Sequence, residues 1–177
     1  MISVWRYLSP LGGIYLAADE IGLTGLCFER QMHDTYPLPQ AYREEETPIL
    51  SEAAAWLHAY FAGEAPGFTP PLHPEGTAFR REVWKLLLEI PYGQTTTYGL
   101  LAARLAQERG IPRMSAQAIG GAVGHNPIAI IIPCHRVVGT NGTLTGYAGG
   151  LDRKQKLLEL ERADILMTGK STRRRMP

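Results

Sequence analysis

The chain has 177 residues, 45% of them apolar and 20% charged, a profile that fits one or two packed domains and excludes a disordered or fibrous protein. No apolar run approaches the roughly 20 residues of a bilayer span and the first residues lack a signal-peptide pattern, so a cytoplasmic location is expected. The net charge of +1 conceals a split: residues 1–76 hold three basic against ten acidic side chains, and residues 77–177 fifteen against seven. A balance of −7 joined to one of +8 fits a polyanionic partner for the second half only.

The first half opens as a meander. Ile2 to Tyr7, Ile14 to Ala18 and Leu23 to Phe28 are short apolar or aromatic runs parted by turn residues, and they predict three antiparallel strands. Thr47-Pro48 then predicts a helix start, with Gly63 as its stop. Leu50, Ala53, Ala54, Leu57, Tyr60 and Phe61 form its apolar stripe, while Trp56 and His58 read as packing or surface residues. Between Glu64 and Gly76, six prolines and glycines exclude a helix or central strand and mark a linker, so the boundary between domains is expected near residue 76.

The second half reads as helices followed by a hairpin. Thr77 caps a helix carrying Phe79, Val83, Trp84, Leu87 and Leu88 on one face. A second helix runs from Tyr98 to about Glu108 with Gly110 as its stop, and Ser115 caps a third, small-sided one from Ala116 to Val123. Helix, short turn and helix is the helix-turn-helix pattern. Adjacent Gly120 and Gly121 cost up to about 1 kcal/mol each relative to alanine, so they require a reason, either tight packing or the approach of another backbone. Asn141-Gly142 within Val137 to Thr145 predicts a hairpin, which after a helix-turn-helix makes a wing. A last helix carries Leu151, Leu157, Leu158 and Leu160.

Chemistry concentrates at Pro133-Cys134-His135-Arg136, delivered by the branched-apolar run Ile128 to Ile132. A thiol becomes a nucleophile when a base or cation favours the thiolate. If the segment is extended, however, neighbouring side chains point to opposite faces, and a water or a turn has to link Cys134 to His135. Cys27, in an apolar strand, reads as structural. Two cysteines make neither a disulfide framework nor a four-cysteine zinc site, and Cys27, His33 and His73 lack paired-ligand spacing, so neither metal nor other cofactor is expected.

Pro133-Cys134-His135-Arg136-Val137, with Gly124-His125-Asn126-Pro127 before it and Gly146-Tyr147-Ala148-Gly149-Gly150 after it, closely resembles the methylated-DNA-protein-cysteine methyltransferases, the O6-alkylguanine-DNA alkyltransferases. The likeness covers residues 77 to 161 almost continuously. It implies an α/β (α+β) fold: a ribonuclease H-like three-stranded sheet with a helix in residues 1–76, and a winged helix-turn-helix domain in 77–177 that binds DNA and accepts the alkyl group. It implies irreversible, one-for-one transfer from O6-alkylguanine in double-stranded DNA, after the base is flipped through the minor groove, by a monomer; O4-alkylthymine stays open as a second substrate.

On the same resemblance Cys134 stands at the acceptor, His135 at the histidine that deprotonates it through a water, Glu161 at the acid that orients His135, and Asn126 at the link to the recognition helix. Tyr98, Arg80, Thr140, Gln117, Gly121 and Arg136 stand on the DNA side, and Tyr147 and Ala148 at the wall of the base pocket. Two features depart from the family pattern. Gln117 replaces the usual arginine that fills the gap left by the flipped base, and the turn Gln107 to Met114 is longer, adding Arg109 and Arg113 as candidate phosphate contacts. The competing readings are a non-repairing binder of the same fold, which Cys134 argues against, and a cysteine hydrolase, which leaves the helix-turn-helix and the charge split unexplained.

Overall fold

The computed structural model describes residues 1–29, 36–163, 165–167 and 170–172, so Arg30, His33 and the basic tail Arg173 to Arg175 lie outside the described residues. The chain divides into two compact units, one of Met1–Gly76 with Pro127–Ile131 and one of Thr77–Asn126 with Ile132–Pro177.

In the first unit, β1 (Ile2–Ser9) and β2 (Gly12–Ala18) pair antiparallel from Ser9↔Gly12 to Ser3↔Ala18, and β3 (Leu23–Phe28) pairs antiparallel with β2. The three expected strands are joined by a fourth. β4 (Tyr42–Glu44) runs parallel to β1 with Ile2 opposite Tyr42, giving the order β3-β2-β1-β4. Three exposed residues are too few and too polar to carry an alternating signal, which is why the sequence reading stops at three strands.

Helix α1 (Pro48–Phe61) starts where Leu50 N–H donates to Thr47 Oγ1 at 3.3 Å and gives way to Gly63 at φ 88°. It buries Leu50, Ala53, Leu57 and Tyr60, and Trp56 joins this stripe, stacked on Tyr60 with ring centroids 5.2 Å apart. The proline-rich stretch is partly fastened to the sheet: Leu23 N–H donates to Pro71 O and His73 N–H to Leu23 O, both at 2.7 Å. Further along β3, Leu26 N–H donates to Pro127 O at 2.9 Å and Leu26 O accepts from Ala129 N–H at 3.0 Å, so these residues of the second half cluster with the first unit.

The run Ile128 to Ile132 is turned, not extended. Only Ile128 makes a strand bridge, Ile131 N–H donates to Ala129 O at 2.8 Å, and Ile130 sits at φ 69°. A branched residue in that left-handed region costs about 1–3 kcal/mol, which full burial of the Ile130 side chain offsets.

In the second unit, α2 (Ala78–Leu88), α3 (Tyr98–Arg109) and α4 (Ala116–Gly124) each begin at a hydroxyl cap: Thr77, Thr97 and Ser115 accept the N–H groups of Arg80, Leu100 and Ala118. Gly110 ends α3 in the left-handed conformation at φ 66°. Helix α4 packs on α2, where the buried Trp84 donates its indole N–H to Ala122 O at 2.8 Å.

The expected hairpin differs in its strand pairing. Asn141 and Gly142 take φ 63° and 77°, as a tight Asn-Gly turn requires, and Gly139 N–H donates to Thr143 O at 2.7 Å. No ladder follows, because β6 (Val137–Val138) pairs in parallel with β5 (Thr96–Thr97) and the turn closes a short loop. Helix α5 (Leu151–Leu160) buries Lys154, Leu157 and Leu158 while Leu151 is exposed, and a small antiparallel pair, β7 (Ile165–Met167) and β8 (Lys170–Thr172), follows. Among the described residues no helix is long and apolar enough to cross a membrane.

Candidate active site and nucleic-acid face

Cys134, His135 and Arg136 form one three-ten turn entered from Pro133. Such a turn sets successive side chains about 120° apart, so the opposed directions of an extended segment do not arise. Asn126 steadies the approach by donating Nδ2–H to Ile132 O at 2.9 Å, and its side chain also hydrogen-bonds the Cys134 thiol. Cys134 is 7% exposed, and burial pushes its thiol up, with the Asn126 hydrogen bond and the Lys154 charge pulling it part of the way back. The resting sulfur is therefore a thiol that needs a proton acceptor.

His135, next in the same turn, is the group expected to be that acceptor. Its Nε2 lies 2.5 Å from Glu161 Oε2, and burial lowers its proton affinity against the raising effect of that carboxylate, which keeps the resting imidazole neutral. With Nε2 facing Glu161, uptake of a proton falls to Nδ1. Glu161 follows the last turn of α5 and is 3% exposed. Burial alone would raise its carboxyl, but His135 and Arg136 hold it down to about 2, so it is ionised at every ordinary pH. Its Oε1 accepts from Arg136 Nε at 2.7 Å and from Gly93 N–H at 3.1 Å.

Arg136 is therefore corrected from the DNA side to the interior. It is 8% exposed, its Nη1 donates to Ile90 O at 2.7 Å, and its guanidinium lies 5.8 Å from the Tyr92 ring centroid. A side chain so held has no reach to a phosphate.

The sequence reading missed Lys154. It is fully buried on α5, and its Nζ donates to Val137 O at 2.6 Å and Thr145 O at 3.1 Å, tying the two ends of the loop that carries Asn141-Gly142. Burial lowers its ammonium to about 8, and the charge it keeps favours the Cys134 thiolate. The available signal was its place three and four residues before Leu157 and Leu158, on the apolar face of α5. Tyr147 is half-buried with its hydroxyl wholly enclosed and without a hydrogen-bond partner, while Ala148 is exposed. Burial, and then the neighbouring Cys134, raise the Tyr147 phenol well above its ordinary value. Gly149 makes room for the ring, since a Cβ there would stand 2.4 Å from Tyr147 Cε1.

A separate open groove of ≈ 780 Å³ in the same unit is lined by Tyr98, Gln117, Gly121 and Thr140, four of the six residues expected on the DNA side, together with Gly120 and Gly139. A Cβ on Gly121 would meet nothing within 4 Å, and one on Gly120 would meet only the Tyr98 ring at 3.8 Å. Tight internal packing therefore does not account for the glycine pair. Tyr98 Oη accepts from Thr145 Oγ1 at 3.2 Å. Arg80 is half-buried in the first turn of α2, and Arg113 is exposed. Arg109 pairs with Glu82 and lies 5.4 Å over the Phe79 ring.

Among the described residues no three His, Cys, Asp or Glu side chains gather to hold a metal ion. Cys27 is buried with its thiol pushed up to about 12, and His73 Nδ1 lies 2.5 Å from Asp19 Oδ2.

A family model described as the 6-O-methylguanine DNA methyltransferase DNA binding domain matches residues 78–163, and one described as the ribonuclease-like domain of the same proteins matches residues 6–74. The chain is 50% identical to the methylated-DNA-protein-cysteine methyltransferase of Methanosarcina acetivorans over 86% of its own length and 94% of the relative's. It is 41% identical to that of Haemophilus influenzae over 92% and 88%. The crystal structure of Mycobacterium tuberculosis OGT in complex with DNA is similar at a TM-score of 0.77 and 44% identity, covering 90% of this chain and 92% of that one.

Proposed function

Because the chain belongs to the methylated-DNA-protein-cysteine methyltransferases, a family that repairs DNA by alkyl transfer, we propose that it moves the alkyl group of O6-alkylguanine in double-stranded DNA onto Cys134. The observation that carries this assignment is the buried group Cys134, His135 and Glu161: a thiol and, one residue on in the same turn, a neutral imidazole whose Nε2 rests on a permanent carboxylate. His135 takes the thiol proton through a water as sulfur attacks, and Glu161 stabilises the imidazolium. The sulfur lone pair forms the S–C bond, the C–O6 bond breaks onto the base, and the proton parked on His135 matches the one that guanine takes up. Among the described residues no group is arranged to cleave the thioether, so each molecule reacts once.

The alkyl carbon is out of reach inside a duplex, and extruding the base costs a few kcal/mol. The groove lined by Tyr98, Gln117, Gly121 and Thr140 supports a minor-groove seat for α4, since its glycines present backbone without side chains to whatever docks there. Arg80 and Arg113 are the cations offered to phosphates. Tyr147 and the backbone at Ala148 form the wall for the flipped base, and the enclosed Tyr147 hydroxyl is a donor waiting for a partner. Every group the reaction uses comes from one chain, which supports action as a monomer, and an acceptor that must be a free thiol supports the reducing cytoplasm.

Intact mass after incubation with a duplex bearing one O6-methylguanine tests the assignment. The expected result is a gain of one CH₂ mapped to Cys134 and saturating at one per protein, with Cys134→Ala unreactive yet retaining duplex affinity. Repeated turnover, or a methyl group on another residue, would overturn it.

A further inference from the structure

Arg136 is the one arginine buried among the described residues, and it stands next in sequence to the base of the reaction. Placing it there carries a cost. Its charge opposes the imidazolium that forms on His135, and a buried guanidinium loses its hydration. A neutral residue at this position would leave His135 more basic, so the arginine needs a compensating purpose.

That purpose lies at Glu161. The carboxylate is shielded from water and 2.5 Å from the imidazole, and a buried carboxylate tends to take a proton. Once His135 is charged, moving its proton from Nε2 to Oε2 would leave a neutral acid and a neutral ring, with the proton stranded on the side away from the sulfur. Arg136 blocks that transfer. Its Nε occupies Oε1 at 2.7 Å, Nη1 is anchored on Ile90 O at 2.7 Å, and neutralising Glu161 would strand the guanidinium as an unpaired buried charge.

We propose that Arg136 is a positioning residue for alkyl transfer, holding Glu161 by Oε1 so that the carboxylate stays ionised and aimed at His135 while the imidazole takes up the thiol proton. The inference rests on the assignment of Cys134 and His135 above. It carries a second consequence, that the Arg136 charge sets how far the pH can fall before His135 is already protonated and cannot accept. The other groups that face this site are Lys154 from α5 and Glu161 just after it, Cys134 from the same turn, Tyr147 from the loop before α5, and Tyr92, itself beside Arg162. None of these changes in the variants that follow.

The test is the single-turnover rate of methyl transfer against pH for wild type, Arg136→Gln and Arg136→Lys. Gln keeps a donor for Oε1 and removes the charge; Lys keeps the charge and loses the fork. Removing a positive charge raises the proton affinity of His135, so the acid limb of the Gln profile is expected to move up by about one pH unit. In the Lys variant the limb stays at the wild-type midpoint while the plateau rate falls. An unmoved limb in Gln, with only a lower plateau, would reduce Arg136 to a structural residue and overturn the proposal, as would an equal shift in Lys. If the Gln variant fails to fold, Arg136→Met, which also removes the charge, is read in its place by the position of its limb. A wild-type protein that gains no methyl group would instead overturn the assignment of Cys134, and that is seen before any variant is compared.

Discussion

Glu161 accepts from Gly93 and Arg136 on one oxygen and faces His135 on the other, all within the protein. Taking away its charge leaves Arg136 buried without a counter-charge. Glu161→Gln is expected to destabilise the fold by about 3–5 kcal/mol, as breaking one side of a buried pair does, and urea denaturation at neutral pH measures it. The pH dependence has a definite sign. With the folded carboxyl at about 2 and an unfolded one near 4.3, the stability that Glu161 contributes is present above the unfolded value and lost as pH falls through that window. His135, whose proton affinity is lowered by burial, pushes the same way, since the unfolded chain binds its proton first. The wild-type urea midpoint should fall between neutral and acid pH, and the Gln variant should show a flatter fall.

At the level of elements, α4 is defined by what it lacks. Gly121 lies in a regular helix at ordinary φ, exposed, with open space where its Cβ would be. Alanine there should stabilise the isolated protein by up to about 1 kcal/mol through helix propensity. If the bare face is a seat for a duplex, the same substitution should weaken DNA binding. Thermal melting and a fluorescence-anisotropy titration are expected to move in opposite directions for Gly121→Ala. A melting temperature and an affinity that rise together would show that nothing docks on that face. Helix α5 has a comparable double part, with Lys154 bonding the ends of the loop on one side and Glu161 closing the C-terminal end beside the reacting pair.

For the whole molecule, the separation of charge along the chain predicts how binding responds to salt. The excess of +8 in residues 77–177 includes arginines that do other work: Arg136 is buried, and Arg104 and Arg109 are paired with Glu89 and Glu82. The number of phosphates neutralised should therefore be small relative to the formal charge. The logarithm of affinity should fall linearly with the logarithm of salt, and Arg80→Ala should reduce the slope by about one unit without changing preference among duplex sequences. An unchanged slope would take Arg80 off the phosphate path.

Local structure was legible in the residues wherever one residue type has one physical use. Thr47, Thr77 and Ser115 mark helix starts, Gly63 and Gly110 mark ends, and Asn141-Gly142 takes its left-handed turn. The sequence also singled out Pro133-Cys134-His135-Arg136, because that spacing is rare and chemical. Which partner each group takes depends on contacts made across the fold. Strand β4 has no pattern apart from its neighbour β1, Val137–Val138 chose Thr96–Thr97 over its own hairpin, and Ile130 turned where its composition favours extension. Arg136 and Lys154 look like surface cations in sequence and are interior ones in the fold. Burial of a charge is settled by contacts distant along the chain, here Glu161 for the one and the carbonyls of Val137 and Thr145 for the other, and no local pattern encodes them.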